Sequence, residues 1–189
     1  MKSKMKQGFT LVELLVTLVI SAIVMLTIIG LIGYCTNHMK KTQLNIDLQD
    51  QAKDAFNHIS SYSMEASALE WDDTEKVLTI KKELVDNTGM SKDVEEKIYY
   101  YWHIDSNLYF ASKEDLATEA GETDLDAFTP SFTADKNHLM ADNVGAIACE
   151  IRTPNKNEKI QDHIAKVTLT MQTEDVTFDC DREICWRNH

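Results

Sequence analysis

An uncharged apolar stretch near the N-terminus, residues 14–35, constrains this chain more than any other feature. As a helix its 22 residues span roughly 33 Å, enough to cross a hydrocarbon core of about 30 Å. A secretory signal has a shorter apolar region and a small-residue cleavage site. This stretch instead ends at Tyr34 and Cys35, and the bulky Tyr34 argues against a lipoprotein signal. We therefore predict a membrane-spanning helix that is retained.

The charges around this stretch indicate its orientation. Three lysines lie within the first eight residues, which favours a cytoplasmic N-terminus and places the rest of the chain across the membrane. Lys40 and Lys41 follow the span and weaken that contrast. The whole chain carries a formal net charge of −12. Because sequence-independent binding of nucleic acid depends on neutralising phosphates, we expect no direct nucleic-acid contact.

The segment that joins the basic leader to the apolar helix is Gly-Phe-Thr-Leu-Val-Glu, residues 8–13. It resembles the processing motif of type IV pilins and type II secretion pseudopilins. The resemblance implies cleavage after Gly8 by a membrane-embedded prepilin peptidase, followed by N-methylation of the new terminal Phe9. Residues 1–8 would then be a leader peptide on the cytoplasmic face, while the helix remains as an anchor.

Glu13 is a carboxylate at the start of a membrane helix, where an unpartnered charge costs several kcal/mol. In a filament it could offset the terminal amine of Phe9 on an adjacent subunit and align the incoming helix in register. The alternative is a glutamate at the headgroup level, favoured there by the helix dipole. The matched motif favours the assembly role.

Beyond the span, apolar residues recur at steps of three and four, which predicts that the helix continues with one apolar stripe. The stripe consists of Leu44, Leu48, Ala52, Ala55, Ile59, Tyr62, Ala66 and Leu69. No proline interrupts residues 9–69. We therefore predict one long helix with a membrane-spanning half, residues 9–36, and an amphipathic half, residues 37–69.

In the remaining residues, 70–189, apolar and polar residues alternate in several segments, as they do in strands. These residues form the predicted extracytoplasmic head domain. Strands are predicted at residues 76–80, 97–103, 108–111, 144–152, 164–171 and 176–180, with turns at 104–107, 153–157 and 173–175. Residues 112–143 read as a polar, acidic insertion with little periodicity. The predicted fold is therefore α+β and pilin-like, with a long N-terminal helix packed on a mainly antiparallel β-sheet.

The order of these elements over residues 97–178 is similar to that of J-type minor pseudopilins and PilW-like minor pilins. The resemblance implies a minor structural subunit that helps to initiate or assemble a type IV pilus or a type II secretion-type pseudopilus. The tip-most minor pseudopilin typically lacks the glutamate found here as Glu13, which argues against that position. The alternative is a binding module at the filament end, contacting DNA, a secreted substrate or a surface.

The resemblance also implies partners and a location. The partners would be a prepilin peptidase, other major and minor pilin-like subunits, the inner-membrane assembly platform and membrane lipid. The chain would cross the cytoplasmic (inner) membrane once, with its N-terminus in the cytoplasm and its head outside, and would enter an extracytoplasmic filament after assembly.

Four cysteines fall on the far side of the predicted membrane, where disulfides can persist. Cys180 and Cys185 could close a small loop, and Cys149 could instead bridge to either of them. These three cannot all pair internally, and Cys35 is expected to be unpaired. The spacing does not match the C-x-x-C motif of redox-active sites.

Other candidate chemistry finds little support in the sequence. The six histidines are scattered without zinc-ligand spacing, so no metal or cofactor is expected. The acidic residues of positions 114–126 lack the calcium-loop pattern and predict a solvated loop. The aromatic residues 99–102 could stack on bases, but neighbouring strand residues face opposite sides, which predicts that half of them are core. No nucleophile, base or phosphate-binding loop stands out, and we expect no enzymatic activity.

Overall fold

The computed structural model describes residues 10–85, 94–152 and 163–186. Its helices are α1, Leu11–Ser63, and α2, Lys113–Ala120. Its strands are β1 Ala68–Asp72, β2 Val77–Val85, β3 Val94–Ile104, β4 Asn107–Ser112, β5 Leu139–Ala141, β6 Val144–Arg152, β7 His163–Gln172 and β8 Thr177–Trp186. The chain divides into two compact units, Met1–Leu44 and Asn45–His189, and α1 contributes to both.

In the first unit, α1 carries apolar side chains on all sides, and they are exposed. None of its most apolar part is buried within the chain. Within the described part of the chain, α1 is the helix long and apolar enough to cross a membrane. The hydroxyls of Thr17, Ser21 and Thr27 each donate to the carbonyl three residues earlier, at 2.7–2.9 Å. These polar groups are thus satisfied within the helix, as an apolar surrounding requires.

In the second unit, α1 ends at Ser63, so the predicted end at Leu69 is wrong. The Ser67 amide and hydroxyl both donate to the Lys81 carbonyl, at 2.8 and 3.0 Å. Residues 68–72 then pair with β2 as strand β1. Leu69 is in the core as predicted, but as a strand residue. The sheet ladder replaces the helical hydrogen bonds that these residues would otherwise make.

All the strand pairings are antiparallel, which confirms the predicted α+β, pilin-like fold. The strands divide into two sheets, one ordered β1-β2-β3-β4-β5 and one ordered β6-β7-β8. Apolar residues of α1 and of both sheets form one core. Its helical members are Leu48, Ala52, Ala55, Phe56 and Ile59.

Two of the predicted turns are confirmed. Asp105 and Ser106 join β3 to β4 with φ of 50° and 63°, the left-handed geometry of a tight hairpin turn. The connection from β7 to β8 is closed by the Thr173 amide, which donates to the Val176 carbonyl at 2.8 Å. The third predicted turn, residues 153–157, lies outside the described residues. Strand β8 continues to Trp186, six residues beyond its predicted end.

The acidic insertion is more ordered than the predicted solvated loop. Its helix α2 begins with a reciprocal capping box between Ser112 and Asp115, and it ends at Gly121 with φ of 74°. Leu116 and the partly buried Phe128 and Phe132 cover the face of the five-stranded sheet that is opposite to α1. That sheet therefore has apolar residues packed on both faces.

Candidate functional site

The first turn of α1 holds Glu13, and the structure brings this carboxylate together with Thr10. The Thr10 amide and hydroxyl both donate to Glu13 Oε2, at 3.3 and 3.2 Å. In return, the Glu13 amide donates to the Thr10 hydroxyl oxygen at 3.3 Å. This is a capping box, in which two backbone amides of the first turn are satisfied reciprocally.

The box gives Glu13 a role within a single chain. A carboxylate in the first turn also interacts favourably with the helix dipole. From residue 10 to residue 39 no other aspartate, glutamate, lysine or arginine occurs. Thr10 was not among the predicted site residues, although the spacing Thr-x-x-Glu is a recognisable sign of a helix start.

The other predicted residues of this site, Gly8 and Phe9, lie outside the described residues. Cleavage after Gly8 and methylation of Phe9 therefore stay predictions. So does the pairing of Glu13 with the Phe9 amine of a neighbouring subunit.

The predicted disulfide partners are free thiols in the structure, as is Cys35. Cys180 and Cys185 lie on one strand, β8, about 17 Å apart by strand geometry. Cys149 lies on β6, separated from β8 by β7 and thus by about 10 Å. A disulfide usually spans less than about 7 Å between Cα atoms, so each of the three candidate bonds would require the sheet to be rearranged. Burial raises the pKa of the Cys149 thiol to about 11, which further lowers its reactivity.

The aromatic strand β3 alternates as predicted, with Tyr99 and Tyr101 packed on the α1 side and Tyr100 and Trp102 on the α2 side. The second pair is covered as well, since Tyr100 is 7% exposed and Trp102 is 1% exposed. The Trp102 indole N–H donates to the Thr133 carbonyl at 3.0 Å. Tyr100, Tyr101 and Trp102 therefore stabilise the head and present no ring for stacking on bases.

His58 links α1 to the five-stranded sheet. Its Nδ1 atom lies 2.9 Å from the Tyr101 hydroxyl, and its ring packs against Tyr62 and Phe110, with centroids 4.8 and 4.5 Å away. Burial lowers the pKa of His58 and raises that of Tyr101, because both charged forms lose solvent. The cluster is thus most stable with both groups neutral.

The described residues contain no group of three or more His, Cys, Asp or Glu side chains placed to hold a metal ion. Two of the three carboxylates of α2 make local contacts instead. Asp115 closes the capping box, and Glu119 Oε2 lies 2.9 Å from Nε2 of His138.

Comparison with known families supports the reading of the N-terminus. Residues 3–29 match the family model described as the prokaryotic N-terminal methylation motif. A comparison with curated proteins gave no match. The match identifies the class III prepilin signal of type IV pilins and pseudopilins. Together with the long apolar helix and the antiparallel head, this signal supports a type IV pilin-like or pseudopilin subunit.

Proposed function

We propose that this chain is a minor pilin-like subunit that helps to initiate or assemble a type IV pilus or a type II secretion-type pseudopilus. Its maturation would consist of cleavage after Gly8 and N-methylation of Phe9. The observation that carries the proposal is the methylation motif at residues 3–29, which includes the start of an apolar helix with Glu13 in its first turn.

Cleavage would create a terminal amine on Phe9, four residues before Glu13. A carboxylate has two oxygens and about four acceptor positions, and the hydrogen bonds from Thr10 go to Oε2. Glu13 can therefore keep its capping box while it accepts from the amine of a neighbouring subunit. Two helices paired in this way would be offset by about four residues, or roughly 6 Å.

The exposed apolar surface of α1 supports the same role. A helix that is apolar on all sides needs an apolar surrounding, which is lipid before assembly. In a filament that surrounding would come from the corresponding helices of other pilin-like subunits. Within lipid, such helices associate by close packing and by polar contacts rather than by the hydrophobic effect, which gives Glu13 the specific part of the interaction.

The order of elements in the head supports a minor rather than a major subunit. The β3–β4 hairpin is followed by an insertion containing α2, and the short strand β5 then leads into β6. This order is the one that resembles J-type minor pseudopilins and PilW-like minor pilins. The expected partners are other major and minor pilin-like subunits, the prepilin peptidase and the inner-membrane assembly platform.

The test is intact mass and N-terminal sequencing of the chain expressed with and without a prepilin peptidase. We expect a mature chain that begins at methylated Phe9 only when the peptidase is present. A Gly8→Val variant is the matched control and should retain its leader in both cases. Retention of the leader by the wild-type chain with active peptidase would overturn the proposal.

A further inference from the structure

Strand β3 is longer than the strand beside it. β4 pairs with β3 only from Ile104 back to Tyr99, where Ser112 ends the strand. In the described part of the chain, the β3 residues before Tyr99 pair with β2 alone. Every second residue there directs its amide and carbonyl toward the side that β4 has left, so this is an open sheet edge.

A cavity of about 580 Å³ lies beside this edge. Four consecutive β3 residues line it, from Glu96 to Tyr99. Since neighbouring strand residues face opposite sides, a cavity that contacts all four lies along the edge of the strand and not over one face. The far wall is made by the first turn of α2 together with Leu125 and Asp126. The volume is within the usual range for ligand sites, about 300 to 1,000 Å³.

The two sides of the cavity differ in chemistry. On the α1 side, Tyr62 packs against Tyr99 and Phe110, with ring centroids 4.6 and 5.1 Å apart. Glu96 lies on the α2 side by strand alternation with Ile98 and Tyr100, and Asp126 also lines the cavity. Two more carboxylates, those of Glu114 and Asp115, line the cavity. Its basic lining residues are Lys97 and Lys113, so acidic side chains outnumber basic ones by four to two.

We propose that this open edge binds an extended peptide segment of a partner protein in which apolar and basic residues alternate. The segment would add a strand to β3 by backbone hydrogen bonds, the mode known as β-augmentation. Alternate side chains of an added strand face opposite ways, so one set would contact the aromatic side and the other the carboxylates. Peptide binding at this edge does not require the chain to enter a filament.

The first experiment measures peptide binding to the full chain in detergent micelles by fluorescence polarisation at physiological ionic strength. The probe is a labelled peptide, Lys-Phe-Lys-Phe-Lys, which we expect to bind saturably. A Glu-Phe-Glu-Phe-Glu peptide carries the opposite side-chain charge, and a Lys-Phe-Lys-Phe-Lys peptide N-methylated at every amide nitrogen lacks backbone donors. Each should bind at least about tenfold more weakly. Failure of the basic peptide to bind, or equal binding by the N-methylated peptide, would overturn the proposal.

The second experiment separates this site from general attraction to an acidic protein. Asp126→Lys should weaken binding of the basic peptide by about tenfold, because the introduced ammonium repels its lysines. Asp54→Lys makes the same charge change at an exposed position of α1 and should leave the affinity unchanged. On binding, amide exchange should slow at those β3 residues before Tyr99 whose amides face the open edge. Equal effects of the two variants, or unchanged exchange at these residues, would contradict the assignment.

Discussion

The two halves of α1 have the same backbone conformation and opposite relations to their surroundings. Before residue 45 the apolar side chains are exposed, Ile29 at 62% for example, and they lie on every side of the helix. After it the apolar residues form one stripe, in which Leu48 is 2% exposed and Ile59 is fully buried. The second half finds its apolar partners in the head, whereas the first requires lipid or other helices. One continuous helix can thus be suited to two different surroundings through the placement of its apolar residues alone.

The largest effect is expected from Glu13, which distinguishes the first half from a simple anchor. Glu13→Gln keeps a hydrogen-bonding partner for Thr10 but removes the charge that would pair with the Phe9 amine. Breaking a buried charge pair costs about 3 to 5 kcal/mol, so incorporation with partner subunits should fall by more than about a hundredfold. The yield of cross-links to neighbouring subunits measures this incorporation.

Thr10→Val is the matched control for Glu13→Gln. It removes the hydroxyl of the capping box, a loss of about 1 kcal/mol, while the carboxylate keeps its charge. We expect a much smaller decrease in cross-linking. Incorporation of Glu13→Gln at the wild-type level would show that the charge has no part in assembly.

A matched pair of isoleucines tests the contrast between the halves directly. Ile59→Ala should lower the free energy of unfolding of the head by about 2 to 5 kcal/mol, because it leaves a cavity in the core. Ile29→Ala should change that free energy by less than about 0.5 kcal/mol. Urea denaturation followed by tryptophan fluorescence measures both, since all three tryptophans lie in the head. Equal losses would contradict the division of α1 into two environments.

Hydroxyl groups offer a smaller test. Thr17 in the first half donates to its own helix, whereas the Ser63 hydroxyl is buried with no hydrogen-bond partner among the described residues. Ser63→Ala should therefore stabilise the head by about 1 kcal/mol, since an unsatisfied buried polar group is removed. The exposed Ser61→Ala variant is the control and should have little effect. If Ser63→Ala instead lowered stability in urea denaturation, the hydroxyl would have a partner in solution.

The smallest effect concerns pH. The pKa of His58 is lowered in the folded head, so below pH of about 6.5 the unfolded chain binds a proton before the folded one does. This contribution to stability is therefore complete above that pH and is lost as the pH falls through the folded pKa. The rings that face His58, those of Tyr62, Tyr101 and Phe110, carry no charge that would offset the loss.

The measurement compares the free energy of unfolding at pH 7.5 and pH 5 for the wild type and for His58→Asn. The variant should lose less stability between the two pH values. His38→Asn is the control, since this histidine is exposed in the first half of α1, and it should keep the wild-type dependence. An identical pH dependence for His58→Asn and wild type would show that His58 does not titrate between the two states.

Features that depend on neighbouring residues could be predicted from the amino-acid sequence. The apolar stretch and the motif around Glu13 predicted the anchor and the family, and the absence of proline predicted an unbroken helix. The alternation of apolar and polar residues predicted most strands. Asp105 and Ser106 are suited to a turn that needs positive φ angles. Each of these is decided within a few residues of the chain.

Features that depend on partners distant in sequence became visible in the folded chain. Helix α1 ends at Ser63 because residues 68–72 gain a pairing partner in β2, which the apolar spacing does not reveal. The insertion is ordered because Tyr100 and Trp102 offer an apolar surface that needs covering. Cys149 lies apart from Cys180 and Cys185 because β7 separates β6 from β8. Local patterns indicate which structures each segment can form. The burial of apolar area and the pairing of backbone groups across the chain determine which of these structures it adopts.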